Sequence, residues 1–273
     1  MQVDKMKILL ENPYVRLIVS SIQSKMEYRG TFLVFLLTIL GFYLSQVAVI
    51  ALMLYKFKTI KGWNSGELAL LYTLLIFSMG VVSTIFSGMI DFSDFIRKGD
   101  YDRVLLRPLS TIGQILSMNF DLTGLAHLSL GFVALVITNH LIYLNWNFAN
   151  IFYFIITIAG GSLILGSIRI IVASVCFYAI SNESLQHLIV FSSREFLMYP
   201  LNIYTRAVQI FLTFIFPIAF VNYYPSYYFL SKDPSMIFHP YLIYGTLPMG
   251  LFLFVVALFL WRLGERYYGS TGS

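Results

Sequence analysis

Four histidines (His127, His140, His187 and His239), one cysteine (Cys176) and the glycine-bearing octet GGSLILGS at 160–167 are the residues from which catalysis would have to be built in this chain. They form no reacting set. The histidines are scattered, and no His-Glu-x-x-His pair is present to grip a metal. One cysteine can make neither an intrachain disulfide nor a multi-cysteine metal site. The apolar neighbours of Cys176 assign it to inert packing. In the octet, Gly161 and Gly166 have the spacing of a phosphate-binding loop, but Ser167 stands where lysine is required. Ser162 and Gly166 read instead as small residues that let helices approach closely. Asp121 and His127 are six residues apart, which turns them about 120° from one another on a helix. They make no dyad. Arg169, near the inner end of a span, is expected to snorkel to the headgroups.

Charge is concentrated in DFSDFIRKGDYDRVLLRPLS, residues 91–110, with four acidic and four basic residues in a chain that is 11% charged. Phe92, Phe95 and Ile96 share one helical face, while Asp91, Asp94, Arg97 and Lys98 lie elsewhere. Gly99 suits the left-handed position that closes a helix. Asp100 can then cap a second short helix, with Asp102 in its first turn and Arg103 and Arg107 towards its end. That order complements the helix dipole. Pro108 stops the helix by pushing Arg107 out of the helical region. The expected product is a helix–turn–helix elbow with an apolar underside. Three tasks fit it: touching anionic lipid to fix orientation, lining a vestibule, or docking on a partner through mixed charges and an apolar anchor. Four interleaved acids and a Gly-Asp turn exceed what the first task needs.

The elements that must hold this elbow are membrane spans. Hydrophobic residues make up 58% of the chain and the mean hydropathy is +0.78, above the roughly 45–50% apolar content of soluble domains. Six uncharged runs, Thr31–Tyr55, Leu68–Ile90, Leu122–Leu144, Phe148–Ile168, Ala207–Ser231 and Tyr241–Trp261, each exceed the roughly 18 residues that flag a spanning helix. Short segments of alternating polarity, the mark of a membrane barrel, are missing. The expectation is an all-α membrane protein of six transmembrane helices, one integral domain over 1–273. Residues 1–30 form an arm whose Val15, Ile18, Val19, Ile22 and Met26 recur at helical spacing, an amphipathic helix for the interface. Asn12-Pro13 supplies its start.

Six spans put both termini on one side. With that side cytoplasmic, 14 lysines and arginines fall inside, in the arm, the 91–112 elbow, the 169–206 region and the 262–273 tail. Only Lys56, Lys58, Lys61 and Lys232 fall outside, as the positive-inside rule favours. The net charge of +5 is thereby explained without nucleic acid. Trp63 and Trp146 would mark the outer interface and Trp261 the inner one. Residues 183–206 are expected to lie along the membrane as a second cytoplasmic connection. Pro217, Pro225, Pro234 and Pro240 crowd the region 215–240, where a span that breaks and turns back near the outer face competes with a kinked span and a loop. In the second span Gly80, Thr84 and Gly88 form a small-residue stripe that could pack within the chain or pair it with another.

IRKGDYDRVLLRPLS resembles the signature of one group of bacterial type-2 ABC permeases. WRLGERYYGSTGS resembles that group's C-terminal pattern, and PIAFVNYYPSYYFL its proline-punctuated fifth span. The resemblance implies that the connection between spans two and three is a coupling helix, with Phe95, Arg97, Lys98, Gly99, Asp100, Asp102, Arg103, Arg107 and Pro108 at the contact with an ATPase. It implies a re-entrant outer segment between spans five and six, a second permease chain (a copy or a related one), and alternating access. It also implies export across a bacterial plasma membrane. ATP and Mg would sit in the partner ATPase, with no cofactor or metal in this chain. A stand-alone secondary transporter or an intramembrane lipid-modifying enzyme is the alternative. Against these stand the lack of midplane acids and internal repeats and of any nucleophile–base pair. Whether His127 or Asp121 contacts substrate stays open, as does the identity of that substrate.

Overall fold

A computed structural model describes residues 12–27, 29–179, 183–232 and 238–269. The beginning of the arm, Pro234 and the last four residues lie outside them. Among the described residues the chain is helical, and an isolated bridge, Ile60–Trp63, is the one extended pairing. In order come α1 (Pro13–Met26), α2 (Arg29–Phe57), α3 (Ser65–Ile85), α4 (Phe92–Arg97), α5 (Asp100–Leu105), α6 (Thr111–Met118), α7 (Thr123–Leu141) and α8 (Phe148–Ser174). A broken helix, α9, runs over 183–197 and widens into π-helical turns at Gln186–Phe191. Then follow α10 (Arg206–Ile215), α11 (Ala219–Leu230) and α12 (Thr246–Glu265).

Four of these helices (α3, α7, α8 and α12) are long and apolar enough to cross a membrane, and the bent pair α10–α11 would make a fifth if taken as one span. In α2, 29 residues long, the described apolar section is Leu36–Gln46. Burial ranks the spans. Of the most apolar window of α3, 72% is buried, against 28% in α7 and 22% in α12. The helix nearest the centre is therefore α3. Its first turn is fixed by a reciprocal cap: the Glu67 N–H donates to Asn64 Oδ1 at 3.0 Å and the Asn64 N–H to Glu67 Oε2 at 2.9 Å.

Side-chain size sets how closely neighbours approach α3. A Cβ on Gly124 of α7 would fall 1.9 Å from Thr84 Oγ1 and 2.5 Å from the Gly80 carbonyl. A Cβ on Gly80 would fall 2.7 Å from Leu128, and one on Gly88 2.7 Å from Asn119. The stripe Gly80–Thr84–Gly88 is thus covered by its own chain, and its dimer-packing use is corrected to an intrachain one. Likewise Gly166 of α8 admits the Phe86 ring, as the small-residue reading of the octet expects.

The second connection is corrected as well. The Gln186 side chain donates to the carbonyls of Ile90 and Met89, beside the elbow. Asn222 Nδ2 joins the carbonyls of Leu197 and Leu71, and Asn202 Nδ2 donates to Lys61, near the opposite end of α3. Residues 186–202 therefore climb most of the bundle rather than lying along one end. Hydropathy hides this course because Glu183, His187, Arg194 and Glu195 interrupt its apolar residues. Ala207–Ser231 is correspondingly not one straight helix: α10 and α11 meet at 102°. Pro217 supplies the break, since the residue before proline is held out of the helical region, and Phe216 has φ −122° and ψ 75°. Pro225, by contrast, sits inside α11 without interrupting it.

Candidate functional site

The elbow forms as two short helices about Gly99, whose φ of +71° and ψ of 9° occupy the left-handed region. A side chain there would be strained, so glycine is the residue the turn requires. The cap differs from expectation: Gly99 itself is the N-cap of α5, and Asp100 stands in the first turn. Arg97 pairs with Asp94 at 2.5 Å and Arg103 with Asp100 at 3.5 Å, both three residues apart on exposed faces. Such pairs contribute only about 0.3–0.5 kcal/mol each. They organise the surface more than they stabilise it. Lys98 and Arg107 have no carboxylate within 4.0 Å among the described residues.

The underside is anchored more firmly. Phe92, Ile96, Tyr101 and Val104 are buried. The rings of Phe92, Tyr101, Phe177 and Trp261 interlock, with centroids 4.7 Å apart for Phe92–Trp261 and 5.4 Å for Tyr101–Phe177. At the rim of this cluster Glu265 Oε1 accepts from Tyr101 Oη at 2.6 Å and Trp261 Nε1 at 2.9 Å, and also from Thr111 Oγ1. The Tyr268 hydroxyl donates to Asp102 Oδ1 at 2.9 Å. Burial first, and then the adjoining Asp102 carboxylate, push the Tyr268 phenol up to about 12. Gln114 closes the far side by donating to the carbonyls of Val104 and Leu109 at 3.1 and 3.2 Å. The elbow is therefore fixed to the end of α12, to the turn after α8, and to α6.

The arm is tied to the same end. Asn12 caps α1 by accepting the Tyr14 N–H at 2.9 Å, and Tyr14 Oη accepts from the Ser110 N–H at 3.0 Å. Lys25 pairs with Asp121 at 2.9 Å. Burial alone would raise the Asp121 carboxyl, but the Thr123 amide and Lys25 together hold it below its usual value.

The expected contact residues divide. Arg97, Lys98, Arg103, Arg107 and Pro108 are exposed. Phe95 is half-buried and stacked on Phe92, so it faces its own chain. Asp102 is occupied by Tyr268. The projecting apolar side chains are Leu105, 48% exposed, and Leu106, 85% exposed. For Leu106 the signal was available, since with Tyr101 and Val104 on the inner face of α5 the helical period turns it outward. Leu105, four residues after Tyr101, shares that inner face by period and is exposed only in the tertiary structure.

Elsewhere, Asp121 and His127 stay apart as expected. His127 meets the Thr123 carbonyl through Nδ1 at 3.3 Å and Asp121 pairs with Lys25. Arg169 does not snorkel: it is 6% exposed, and its Nη1 donates to the Val82 carbonyl at 3.4 Å. Trp63 and Trp261, expected as interfacial belts, are each 1% exposed. Trp63 is covered by Tyr223, Tyr227 and the Lys232 ammonium, which also pairs with Glu67 at 2.9 Å. Among the described residues no cluster of three or more metal-ligating side chains occurs.

The described residues thus form a helical, multi-pass membrane chain carrying a structured charged elbow at one end of its bundle. The sequence profile of ABC-2 family transporter proteins matches residues 37–272. No curated protein and no solved structure matches the chain. The chain belongs to the ABC-2 transporter family, and so is of the permease type, for which membership implies an ATPase subunit as partner.

Proposed function

We propose that this chain is the permease subunit of an ATP-binding-cassette exporter, driven by separate ATPase subunits that dock on the 91–112 elbow. One observation carries the reading: an exposed crest of Leu106 between Arg103 and Arg107 stands on an elbow whose other face is locked to α12 and α8. Such a part can accept a push at its crest and transmit it to the spans. ATP and Mg belong to the partner. Six crossings are assigned to α2, α3, α7, α8, α9 and α12, with α10 and α11 as a re-entrant pair at the far end. A second permease chain completes the path. The transporter sits in the bacterial plasma membrane. Co-expression with the cognate ATPase tests the reading. That ATPase should come down with this chain in mild detergent, and purification of the chain free of any ATPase would sink it.

The elbow end, with both termini, is placed in the cytoplasm. With Arg206 moved to the far end, where its guanidinium lies 3.6 Å over Phe238, and Arg169 and Arg194 inside the bundle, 9 basic residues among the described residues remain at the elbow end against 5 at the other. The bias keeps its sign. Cysteine in place of Lys58 or Tyr143, in a Cys176→Ser background, should react with an impermeant thiol reagent in intact cells. Cysteine in place of Lys98 should not, and labelling there would reverse the orientation.

A further inference from the structure

Two arginines, one from α8 and one from α9, line a single cleft inside the bundle. Arg169 of α8 is buried against the Val82 carbonyl. Arg194 of α9 holds its guanidinium 4.6 Å over the Phe42 ring. Both line one narrow cleft of about 20 Å³, with Met79, Leu165, Val190 and Ser193 among its walls, room for about one water molecule. Beside it Tyr43 is 6% exposed. Its hydroxyl lies within reach of the Arg194 guanidinium. His127 meets the Tyr43 ring edge-on, centroids 5.7 Å apart.

Among the described residues no carboxylate lies within 4.0 Å of either guanidinium. Taking a cation out of water is costly unless an opposite charge meets it, and Arg169 is buried while Arg194 is half-buried. The compensation supplied by the chain is partial. A carbonyl near the C-terminus of α3 offers only a fraction of a charge, and an aromatic face attracts a cation only weakly compared with a carboxylate. Charged groups kept at such depth mark binding sites and pathways more often than packing. The π-helical turns at Gln186–Phe191 supply Val190 and Phe191 to the cleft wall and end three residues before Arg194, and π-turns recur at functional sites. A guanidinium presents a planar fork that fits carboxylate or phosphate oxygens, and the remaining walls are almost wholly apolar.

We infer that Arg169 and Arg194 bind the anionic headgroup, carboxylate or phosphate, of an amphiphilic molecule that the transporter moves. The apolar body would lie along Val190, Phe191 and Leu165, and α9 must draw away from α8 to admit it, since the cleft now fits little more than a water. The inference rests on the permease reading for its transport role, but the site itself is tested without the ATPase.

The test uses the full chain in phosphatidylcholine nanodiscs, with empty discs subtracted. The probes are dodecyl phosphate, dodecanoate, dodecyltrimethylammonium and inorganic phosphate. At least one anionic amphiphile should bind saturably, and the cationic one at least tenfold more weakly. Arg194→Gln should weaken the anionic probe at least tenfold with an unchanged melting temperature, and Arg194→Lys should weaken it less. Because Arg169 also supports Val82, Arg169→Lys rather than a neutral variant is the companion. Equal affinity for the cationic probe, or affinity unchanged in Arg194→Gln, overturns the site. Binding of inorganic phosphate as tight as that of dodecyl phosphate overturns the amphiphile. Anionic binding that depends on Arg194, in a chain that never captures an ATPase, keeps the site and removes the permease reading instead.

Discussion

Replacing Glu265 with alanine is expected to destabilise the chain by about 3 kcal/mol and to cut ATP-driven transport at least tenfold. One carboxylate oxygen accepts from Tyr101, Trp261 and Thr111, which come from α5, α12 and α6. Removing it leaves three donors at the edge of a buried aromatic cluster. Each unsatisfied buried donor costs about 1–3 kcal/mol, less where two of the three can pair with each other. Trp261 Nε1 lies 3.3 Å from Thr111 Oγ1, so that part can be recovered. The larger effect is mechanical. Without the carboxylate the underside of the elbow slides on α12, so motion at the crest is not passed on. ATPase docking should stay within about twofold of the parent, because the crest is untouched. Glu265→Gln, which keeps an acceptor oxygen without charge, should fall between. Thermal unfolding in detergent and transport by the reconstituted complex measure the two effects. An unchanged melting temperature together with unchanged transport would remove Glu265 from the coupling route.

Leu106→Asp is expected to do the opposite: leave the melting temperature alone and weaken ATPase docking by ten- to a hundredfold. At 85% exposure the side chain supports nothing in its own chain. Burying a leucine in a partner's cleft contributes about 1.5–3 kcal/mol, and the best-placed apolar anchors carry a large share of binding energy. An aspartate loses that term and brings an unpaired charge to the interface. Charge reversal at Arg107 should add a smaller loss that fades as salt is raised. Asp102 is a poor probe by comparison, since its bond to Tyr268 makes any substitution disturb the elbow itself. Docking measured with the purified ATPase decides the matter: affinity within twofold of the parent in Leu106→Asp would take the crest out of the interface.

Composition and local pattern determined much of this molecule. Uncharged runs longer than a bilayer needs located α3, α7, α8 and α12, because a spanning helix must satisfy its own backbone and face apolar surroundings along its whole length. Gly99, Asp94, Arg97 and Pro108 announced the elbow, since turn and helix-end chemistry acts within a few residues. Direction around a helix was less legible. The helical period turns Leu106 outward but assigns Leu105 to the face of Tyr101, and only the packing of Phe92 and Tyr101 on Trp261 left Leu105 exposed. The stripe Gly80–Thr84–Gly88 advertised close approach but not by what; Gly124 and Leu128 of α7 decided it. The largest departure is α9. Hydropathy averages over a window, and Arg194 among apolar residues depresses it, whereas tertiary structure places that arginine over Phe42 and runs the segment from Ile90 to Lys61. A helix that shares its burial with protein need not be apolar all round. Its course is set by long-range side-chain bonds such as those of Asn222 to Leu71 and Leu197, which join residues far apart in the chain and leave no local pattern to read.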